Sequence, residues 1–350
     1  MERPTVLLVF GGESSEHDVS VSSARNVYAA LDDSKFNVEL AYIDKQGKWW
    51  LIDSFGSQVT THGVPQLIPV LGAASFVTMP ANRIVKPDVI LSILHGKNGE
   101  DGSVPALAQL LHIPIVGCDM TSSALCMDKV ATKEILKSYG VKTVPYERHH
   151  KSDAMPDFNK LSMRLGSPMF VKPSRAGSSV GVNKVHTEEE LAAALTEAHL
   201  HDEVILIEAG ISGREIEVAV LGNYPSVKAS TPGEVRADRD FYSYDSKYSS
   251  DSTSQIIIPA ALTDEQSRVI RDTAKRAYEL LGCSGLTRVD FFLDANGTVY
   301  LNELNTLPGF TNISMYAKLW RHDGISYSEL ISQLIALALH DTMKVTITEE

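Results

Sequence analysis

The chain has 350 residues, enough for two domains or three small ones. Its 43% apolar and 22% charged residues exclude a wholly disordered or fibrous protein, because this composition can bury a sizeable core. With 32 basic and 44 acidic residues the formal net charge is −12, which repels phosphate backbones. We therefore expect neither nucleic acid nor an anionic membrane as a partner.

The cysteines and the apolar runs carry an expectation about the cellular compartment. None of the three cysteines belongs to a CxxC pair, so we expect small buried thiols in a reducing environment. No apolar run reaches the roughly 18 residues of a membrane span, and the first residues lack the pattern of a signal peptide. These features predict a cytoplasmic protein.

At the N-terminal end, predicted strands alternate with helices. The predicted elements are strands at 5–10, 87–94 and 113–116 and helices at 21–31 and 103–111. This alternation predicts a parallel α/β sheet whose ligand edge lies at the carboxyl ends of the strands. The stretch 46–82 is predicted to be mainly loop.

Further along the chain the pattern changes to that of a smaller α+β structure. The predicted elements are helices at 122–139, 188–198, 263–281 and 326–339, strands at 169–172, 181–185, 204–208 and 215–221, and a hairpin at 286–305. Residues 236–254 are rich in serine and without clear periodicity, which is typical of a lid or a disordered insert.

The hairpin carries the most informative side chains. Asn296-Gly297 is a strong turn signal, and a two-residue loop there pairs residues whose numbers sum to 593. Asp290 then opposes Glu303, and Arg288 opposes Asn305, all on one face. Opposed carboxylates destabilise a hairpin unless a positive charge lies between them, and this oxygen-rich set suits Mg²⁺ or Mn²⁺. The alternative is an exposed polar face with solvated carboxylates.

The loop at 173–179 follows a strand that ends with Lys172. Backbone N–H groups of such a loop, with the Ser178 and Ser179 hydroxyls, can surround phosphate oxygens, although a plain hairpin loop fits equally well. Lys129 and Lys247 are of interest only if they converge on the same phosphates, since isolated lysines are usually solvated.

Two polar residues follow the first and second predicted strand–turn units. Glu16 lies near a helix start, where it either binds an ammonium group or favours the helix dipole. His95 ends an apolar strand, where a hydrogen-bonding role in the turn is the simpler interpretation.

With these residues identified, the chain closely resembles the bacterial D-alanine–D-alanine ligases of the ATP-grasp superfamily. The resemblance rests on GGESSEHDVS (11–20), HGKNGEDG (95–102), ALCMDK (124–129), VKPSRAGSSVG (171–181), LIEAGISGREIEVAVLG (206–222), FYSYDSKY (241–248), GLTRVDFFL (285–293) and LNELNTLPGFTNISMY (301–316). Eight such strings in the family's order are highly specific.

The resemblance implies an ATP-grasp fold, of mixed α/β and α+β class, with an N-terminal Rossmann-like (pre-ATP-grasp) domain. The implied domains are 1–125, a central ATP-grasp subdomain at 126–221, and a C-terminal ATP-grasp subdomain at 222–350 that carries the metal site and the lid 236–254. ATP is expected between the last two.

The resemblance also implies roles for individual residues. Phosphates are expected at Lys129, Lys172, Ser178, Ser179 and Lys247; adenine at the 208–211 hinge, including Glu208, Ala209 and Ile211; ribose at Glu215; and two Mg²⁺ or Mn²⁺ at Asp290, Glu303 and Asn305. The first D-alanine is expected at Glu16 and His95, the oxyanion at Arg288 and the Gly309 backbone, and the second D-alanine at Ser314, while Glu16, Ser178 and Tyr248 close the lid.

The implied activity is the ATP-dependent joining of two D-alanines through a D-alanyl phosphate, for peptidoglycan precursors. Tyr248 and Met315 favour D-alanine as the second substrate, because relatives that use D-lactate or D-serine differ there. The alternatives are a D-Ala–D-lactate or D-Ala–D-Ser ligase and, from another class, a non-catalytic nucleotide-binding α/β protein. A homodimer is expected from the family.

Overall fold

The computed structural model describes residues 3–177, 180–236 and 255–345, and its strands form three sheets. The strands of the first sheet are β1 (Thr5–Gly11), β2 (Asn37–Ile43), β3 (Trp49–Ile52), β4 (Gln66–Val70), β5 (Ser75–Met79), β6 (Ile84–Val85) and β7 (Val89–Ser92). Their order is β6-β5-β4-β3-β2-β1-β7. Only β1 is parallel to its neighbours β2 and β7, and the remaining pairs are antiparallel.

The predicted loop at 46–82 is therefore wrong, because it contains β3, β4 and β5. These strands have only four or five residues each and are partly exposed, so their alternation is too short to stand out in the sequence. The predicted strand at 113–116 is reduced to one bridge between Ile115 and Ile90. The helices of this part are α1 (His17–Ala30) and α2 (Ser103–Leu111).

The predicted single helix at 122–139 is two helices, α3 (Met120–Met127) and α4 (Lys129–Ser138). Asp128 between them has an extended backbone, with φ −82° and ψ 98°, and its carboxylate accepts from the N–H groups of Val130 and Ala131. An N-cap of this kind begins a new helix, which places Lys129 at the first position of α4.

The second sheet contains the loop that was predicted to surround phosphate. Its strands are β8 (Tyr146–His150), β9 (Met169–Pro173), β10 (Asn183–Val185) and β11 (Val204–Ala209), in the order β10-β9-β11-β8, with helices α5 (Phe158–Leu165) and α6 (Glu188–Ala198). Leu191 and Leu195 of α6 pack against Val171 and Ile205 in a separate core.

The third sheet contains the predicted metal hairpin. Its strands are β12 (Gly213–Leu221), β13 (Lys228–Ala229), β14 (Gly233–Arg236), β15 (Gln255–Ile257), β16 (Leu286–Asp294) and β17 (Val299–Asn305), and the helices are α7 (Asp264–Leu280), α8 (Met315–His322) and α9 (Tyr327–Val345). The order is β15-β14-β12-β16-β17, with β13 on β12. The domain division at 125 and 221 stays a prediction.

The first and third sheets are joined by one hydrophobic core. Phe10 and Leu91 of the first sheet belong to the same cluster as Tyr316 of α8 and Leu330 of α9. Burial of such side chains contributes roughly 1.5–3 kcal/mol each, so this core fixes the first sheet against α8 and α9.

All three cysteines are free and buried, as predicted. Within the described ranges, no helix combines the length and the apolar character needed to cross a bilayer.

Candidate active site

The hairpin of β16 and β17 has the predicted pairing, although its turn differs. Arg288 opposes Asn305 and Asp290 opposes Glu303. The turn has three residues rather than two, because Asp294 pairs with Thr298 through its N–H, and Gly297 has φ +79°. A bulge next to Asp290 makes Asn302 an extra residue and restores the predicted register.

Arg288 lies among the carboxylates of this face. Its guanidinium donates to Asp290 at 2.8 and 2.7 Å, and its Nε is 3.0 Å from Glu217 Oε2. Asn305 Nδ2 donates to Asp290 Oδ2 at 2.9 Å. Burial alone would lower the pKa of Arg288, but the charges of Asp290 and Glu217 hold it well above its usual range.

Glu217 extends the carboxylate row onto a third strand. It opposes Asp290 across β12 and β16, just as Glu303 opposes Asp290 across β16 and β17. Within the described ranges, no group of three or more His, Cys, Asp or Glu side chains has metal-binding geometry. Asp290, Glu303 and Asn305 stay the predicted metal ligands on the chemistry of their oxygens, which suit Mg²⁺ or Mn²⁺.

Lys129 connects this hairpin to the other parts of the chain. Its Nζ donates to the Ala176 carbonyl at 2.7 Å, so the start of α4 holds the loop that follows β9. Burial lowers the pKa of Lys129, while the charge of Glu303 opposes this shift and that of Lys172 reinforces it. Glu100, from the loop after β7, also raises the pKa of Lys129. The charges of β17, β9 and the loop after β7 thus all influence this one ammonium group.

A second attachment holds the same loop against α4. Ser174 donates through its Oγ to Asp128 Oδ1 at 2.7 Å, and its carbonyl accepts from the Lys129 N–H at 3.1 Å. Asp128 therefore begins the helix and positions the loop at the same time.

The side chain of Lys172 forms an ion pair with Glu208 of the predicted adenine hinge. Its Nζ is 2.6 Å from Glu208 Oε2, and Lys133 Nζ is 2.9 Å from Glu208 Oε1. Burial alone would raise the pKa of Glu208, but the two ammonium groups lower it.

The other hinge residues lie along the edge where β11 passes into β12. Ala209 is buried and donates its N–H to the Pro145 carbonyl at 2.9 Å. Ile211 lies between the two strands. Glu215 is on β12, where it pairs with Val235 of β14 and Phe292 of β16.

Glu16 and His95 meet at the carboxyl ends of β1 and β7. Glu16 immediately precedes α1 and is buried, and a β-carbon on Gly96 would lie 2.8 Å from its Oε2. His95 is also buried, with Nδ1 3.8 Å from Glu100 Oε1 and Nε2 3.2 Å from Ser23 Oγ. Both residues lie at the sheet edge where a ligand was predicted.

The last predicted substrate residues lie around the start of α8. A β-carbon on Gly309 would lie 3.3 Å from Ser314 Oγ, and Ser314 Oγ accepts from the Thr311 N–H at 3.0 Å. Met315 is buried, with its Sδ 3.2 Å from a β-carbon built on Gly233. The predicted residues Ser178, Ser179, Lys247 and Tyr248, and lid residues 237–254, lie outside the described residues.

Sequence reasoning missed three candidate residues. Lys133 is one helical turn after Lys129, a spacing that was a usable signal. Glu100 stands inside a quoted motif, and a β-carbon on Gly177 would lie 3.8 Å from its Oε2. Glu217 also stands inside a quoted motif, but its place in the row depends on pairing with a strand about 70 residues away, which no local pattern predicts.

Comparisons with known proteins identify the family of the chain. Family models described as "D-ala D-ala ligase N-terminus" and "D-ala D-ala ligase C-terminus" match residues 5–118 and 135–336. The chain is 43% identical to D-alanine–D-alanine ligase A of Escherichia coli K12, covering 97% of this chain and 96% of that one. It is 44% identical to the D-alanine–D-alanine ligase of Shouchella clausii, covering 97% and 95%.

Solved structures give the same result. The D-alanine–D-alanine ligase of Coxiella burnetii superposes with a TM-score of 0.89 at 34% identity, covering 99% of this chain and 97% of that one. The VanG D-Ala:D-Ser ligase of Enterococcus faecalis gives 0.87 at 32% identity, covering 96% and 100%. The chain therefore belongs to the D-alanine–D-alanine ligase family and is a ligase with the ATP-grasp fold.

Proposed function

We propose that this chain joins two D-alanines into D-alanyl-D-alanine, with cleavage of ATP to ADP and phosphate, for peptidoglycan precursors. The observation that carries the proposal is the position of Lys129. Its ammonium group donates to the loop after β9, and the charges of Glu303 and Glu100 raise its pKa. A cation so placed suits the transfer of a phosphoryl group between a nucleotide on one side and a small acid on the other.

The reaction has two steps. In the first, the carboxylate of one D-alanine attacks the γ-phosphorus of ATP, forming a C–O–P bond and releasing ADP. In the second, the amine of the other D-alanine attacks the acyl carbon, phosphate leaves with the C–O electron pair, and the amine loses a proton. Phosphorylation is needed because a free carboxylate is a poor acyl donor.

The residues at the N-terminal edge would hold the first substrate. Glu16 provides a carboxylate for the ammonium group of the first D-alanine, and His95 orients the same molecule. Lys129 and Lys172 would neutralise charge on the phosphates. Their low-dielectric surroundings strengthen such contacts relative to water.

The residues at the C-terminal edge would hold the second substrate and the oxyanion. Arg288 and the N–H of Gly309 would donate to the oxyanion of the tetrahedral intermediate, and Ser314 would bind the carboxylate of the second D-alanine. A β-carbon built on Gly309 would lie 3.3 Å from Ser314 Oγ, so the two positions are close enough for one small substrate to contact both.

The donor atoms of Asp290, Glu303 and Asn305 fit one or two Mg²⁺ or Mn²⁺, since these ions prefer carboxylate and amide oxygens. Such an ion neutralises phosphate charge when it is bound. Arg288 already neutralises Asp290, so the chain compensates this carboxylate before metal arrives.

D-alanine is the proposed second substrate, and D-lactate and D-serine are the alternatives. The sequence relatives at 43% and 44% identity are both D-alanine–D-alanine ligases, which favours D-alanine. Met315 agrees with the family resemblance, because several relatives that form depsipeptides or use D-serine have arginine at this position. We further propose that the protein acts in the cytoplasm, where ATP is available, and as a homodimer.

Coupled ADP release with D-alanine and Mg²⁺ tests the activity. We expect ADP and phosphate in equal amounts, and only when D-alanine is present. Phosphate release is then compared with D-alanine, D-lactate and D-serine as second substrate, and faster release with D-lactate or D-serine would refute the choice. Nucleotide binding that is independent of Mg²⁺ and produces no phosphate would instead support the non-catalytic alternative.

A further inference from the structure

Lys133 is a buried charge for which the proposed reaction has no use. Its side chain is 0% exposed, and its partner Glu208 is 4% exposed. The Glu208 carboxylate lies between two ammonium groups, with Lys133 Nζ 2.9 Å from Oε1 and Lys172 Nζ 2.6 Å from Oε2. Burying an ion costs several kcal/mol unless it is paired, so an additional buried lysine needs a reason.

The two lysines differ in what else they can contact. Lys172 comes from β9, immediately before the loop proposed to hold phosphate, so a nucleotide bound there would compete with Glu208 for its ammonium group. Lys133 comes from the middle of α4, and its Nζ lies over the Tyr146 ring, 5.8 Å from the ring centroid. It therefore remains available to Glu208 when Lys172 turns to the phosphates.

We propose that Lys133 is a positioning residue that keeps Glu208 an ionised hydrogen-bond acceptor in the nucleotide complex, and thereby selects a 6-aminopurine over a 6-oxopurine. This inference rests on the proposed function, which places adenine at the 208–211 hinge. It adds a determinant of base selectivity that does not itself touch the base.

The selectivity follows from hydrogen-bonding chemistry. An ionised carboxylate can only accept, so it pairs with the exocyclic amino group of adenine and repels the carbonyl oxygen of hypoxanthine. A protonated carboxyl can donate to that carbonyl. Leaving a buried polar group unpaired costs roughly 1–3 kcal/mol, which corresponds to a discrimination of about 5- to 150-fold.

The charge state of Glu208 depends on the groups around it. Lys133 faces Glu208 from α4, and Lys172 faces it from β9. Tyr146 is the residue that pairs with Glu208 on β8, and Lys129 lies on α4 one helical turn before Lys133. When Lys172 is engaged with phosphates, removal of Lys133 leaves a carboxyl buried without an adjacent cation, and such a group takes up a proton.

The experiment compares the dissociation constants of ADP and inosine diphosphate by calorimetry with Mg²⁺ present and D-alanine absent. For the unmodified chain we expect tighter binding of ADP. Lys133→Met should lower the ratio of the two constants by about fivefold or more, mainly by tightening inosine diphosphate, because a protonated carboxyl can donate to its carbonyl and still accept from adenine. Lys137→Met is the matched control, because Lys137 is exposed one turn later on the same helix, and the ratio of the two dissociation constants should not change in this variant.

If Lys133→Met weakens the binding of ADP and of inosine diphosphate equally, Lys133 has only a structural role and the inference is overturned.

A double-mutant cycle supplies the second arm. Glu208→Gln can present either an acceptor or a donor, so it should lose the discrimination by itself, and Lys133→Met added to it should change the ratio no further. A further change of the ratio in the Glu208→Gln background would contradict a role through Glu208. If Lys133→Met does not fold, Lys133→Arg takes its place, and loss of discrimination in this charge-retaining variant would overturn the inference.

The outcomes separate this inference from the proposed function. Nucleotide binding is measured without D-alanine, so ADP selectivity that depends on Lys133 supports the inference even if no ligation is observed. A functioning ligase whose preference for ADP is unaffected by Lys133→Met would refute the inference and leave the proposed function intact.

Discussion

Arg288 and Asp290 are two residues apart on β16, and the guanidinium of the first donates to the carboxylate of the second at 2.8 and 2.7 Å. Alternate residues of a strand point to the same face, which is why the two side chains can form this bidentate pair. The arginine proposed to stabilise the oxyanion thus occupies the carboxylate proposed to bind metal. The two roles compete for Asp290.

This competition makes a prediction about metal affinity. Arg288→Met should bind Mn²⁺ more tightly than the unmodified chain, because it removes the competing cation and increases the repulsion that a metal relieves. Turnover should fall by about 10²-fold or more, as when other oxyanion donors are removed. Mn²⁺ affinity is measured by electron paramagnetic resonance with ADP present. Unchanged or weaker Mn²⁺ binding would show that Arg288 and the metal do not share Asp290.

Removing a proposed metal ligand should have the opposite effect on affinity. Glu303→Ala should abolish turnover and weaken Mn²⁺ binding while the circular dichroism spectrum and melting temperature remain close to those of the unmodified chain. Its stability should persist because Glu303 is only half-buried and opposes another carboxylate.

Glu279→Ala is the control for this variant, since Glu279 is an exposed carboxylate on α7. Both activity and Mn²⁺ affinity should survive this change. Near-normal activity in Glu303→Ala would refute the metal role.

The hairpin shows which part of the site the sequence could predict. The pairing of Asp290 with Glu303 depends on a turn only a few residues away, and it was predicted correctly although the turn itself has three residues. The bulge at Asn302 compensated for the longer turn, and no local pattern announces such a bulge. Pairing between two strands so close in the chain costs little conformational entropy, so it can be predicted from the local sequence.

The residues that were missed depend on longer-range packing. Glu217 joins the carboxylate row only because β12 pairs with β16, and Glu100 approaches the loop at Gly177 only because separate sheets meet. The interruption of the helix at Asp128 was also missed. Both flanking segments have helical spacing, and a single aspartate between them does not by itself indicate that one helix ends and another begins.

The cap at Asp128 makes a prediction that separates stability from function. Asp128→Ala should lower the free energy of unfolding by about 1 kcal/mol and also raise the KM for ATP, because the same carboxylate accepts from Ser174 in the loop. Asp157→Ala is the matched control, since Asp157 caps α5 by accepting from the Lys160 N–H at 3.1 Å and has no contact with that loop among the described hydrogen bonds. Denaturant unfolding should show a similar loss in both variants. A KM for ATP that rises equally in both would mean that destabilisation alone is responsible.

Gly96 offers a direct test of the first substrate site. Its φ is +76°, and a β-carbon there would lie 2.8 Å from Glu16 Oε2, so Gly96→Ala must displace the Glu16 carboxylate as well as strain the backbone. Gly72→Ala controls for the strain, because Gly72 has φ +71° in the same part of the chain and a β-carbon there meets nothing within 4 Å.

Both the Gly96→Ala and the Gly72→Ala variant should lose about 1 kcal/mol of stability from the left-handed backbone. Only Gly96→Ala should raise the KM for the first D-alanine, by about tenfold if one ammonium–carboxylate contact is lost, with the KM for ATP little changed. Steady-state kinetics at saturating ATP measures this, and a D-alanine KM that is equal in the two variants would remove Glu16 from the substrate site.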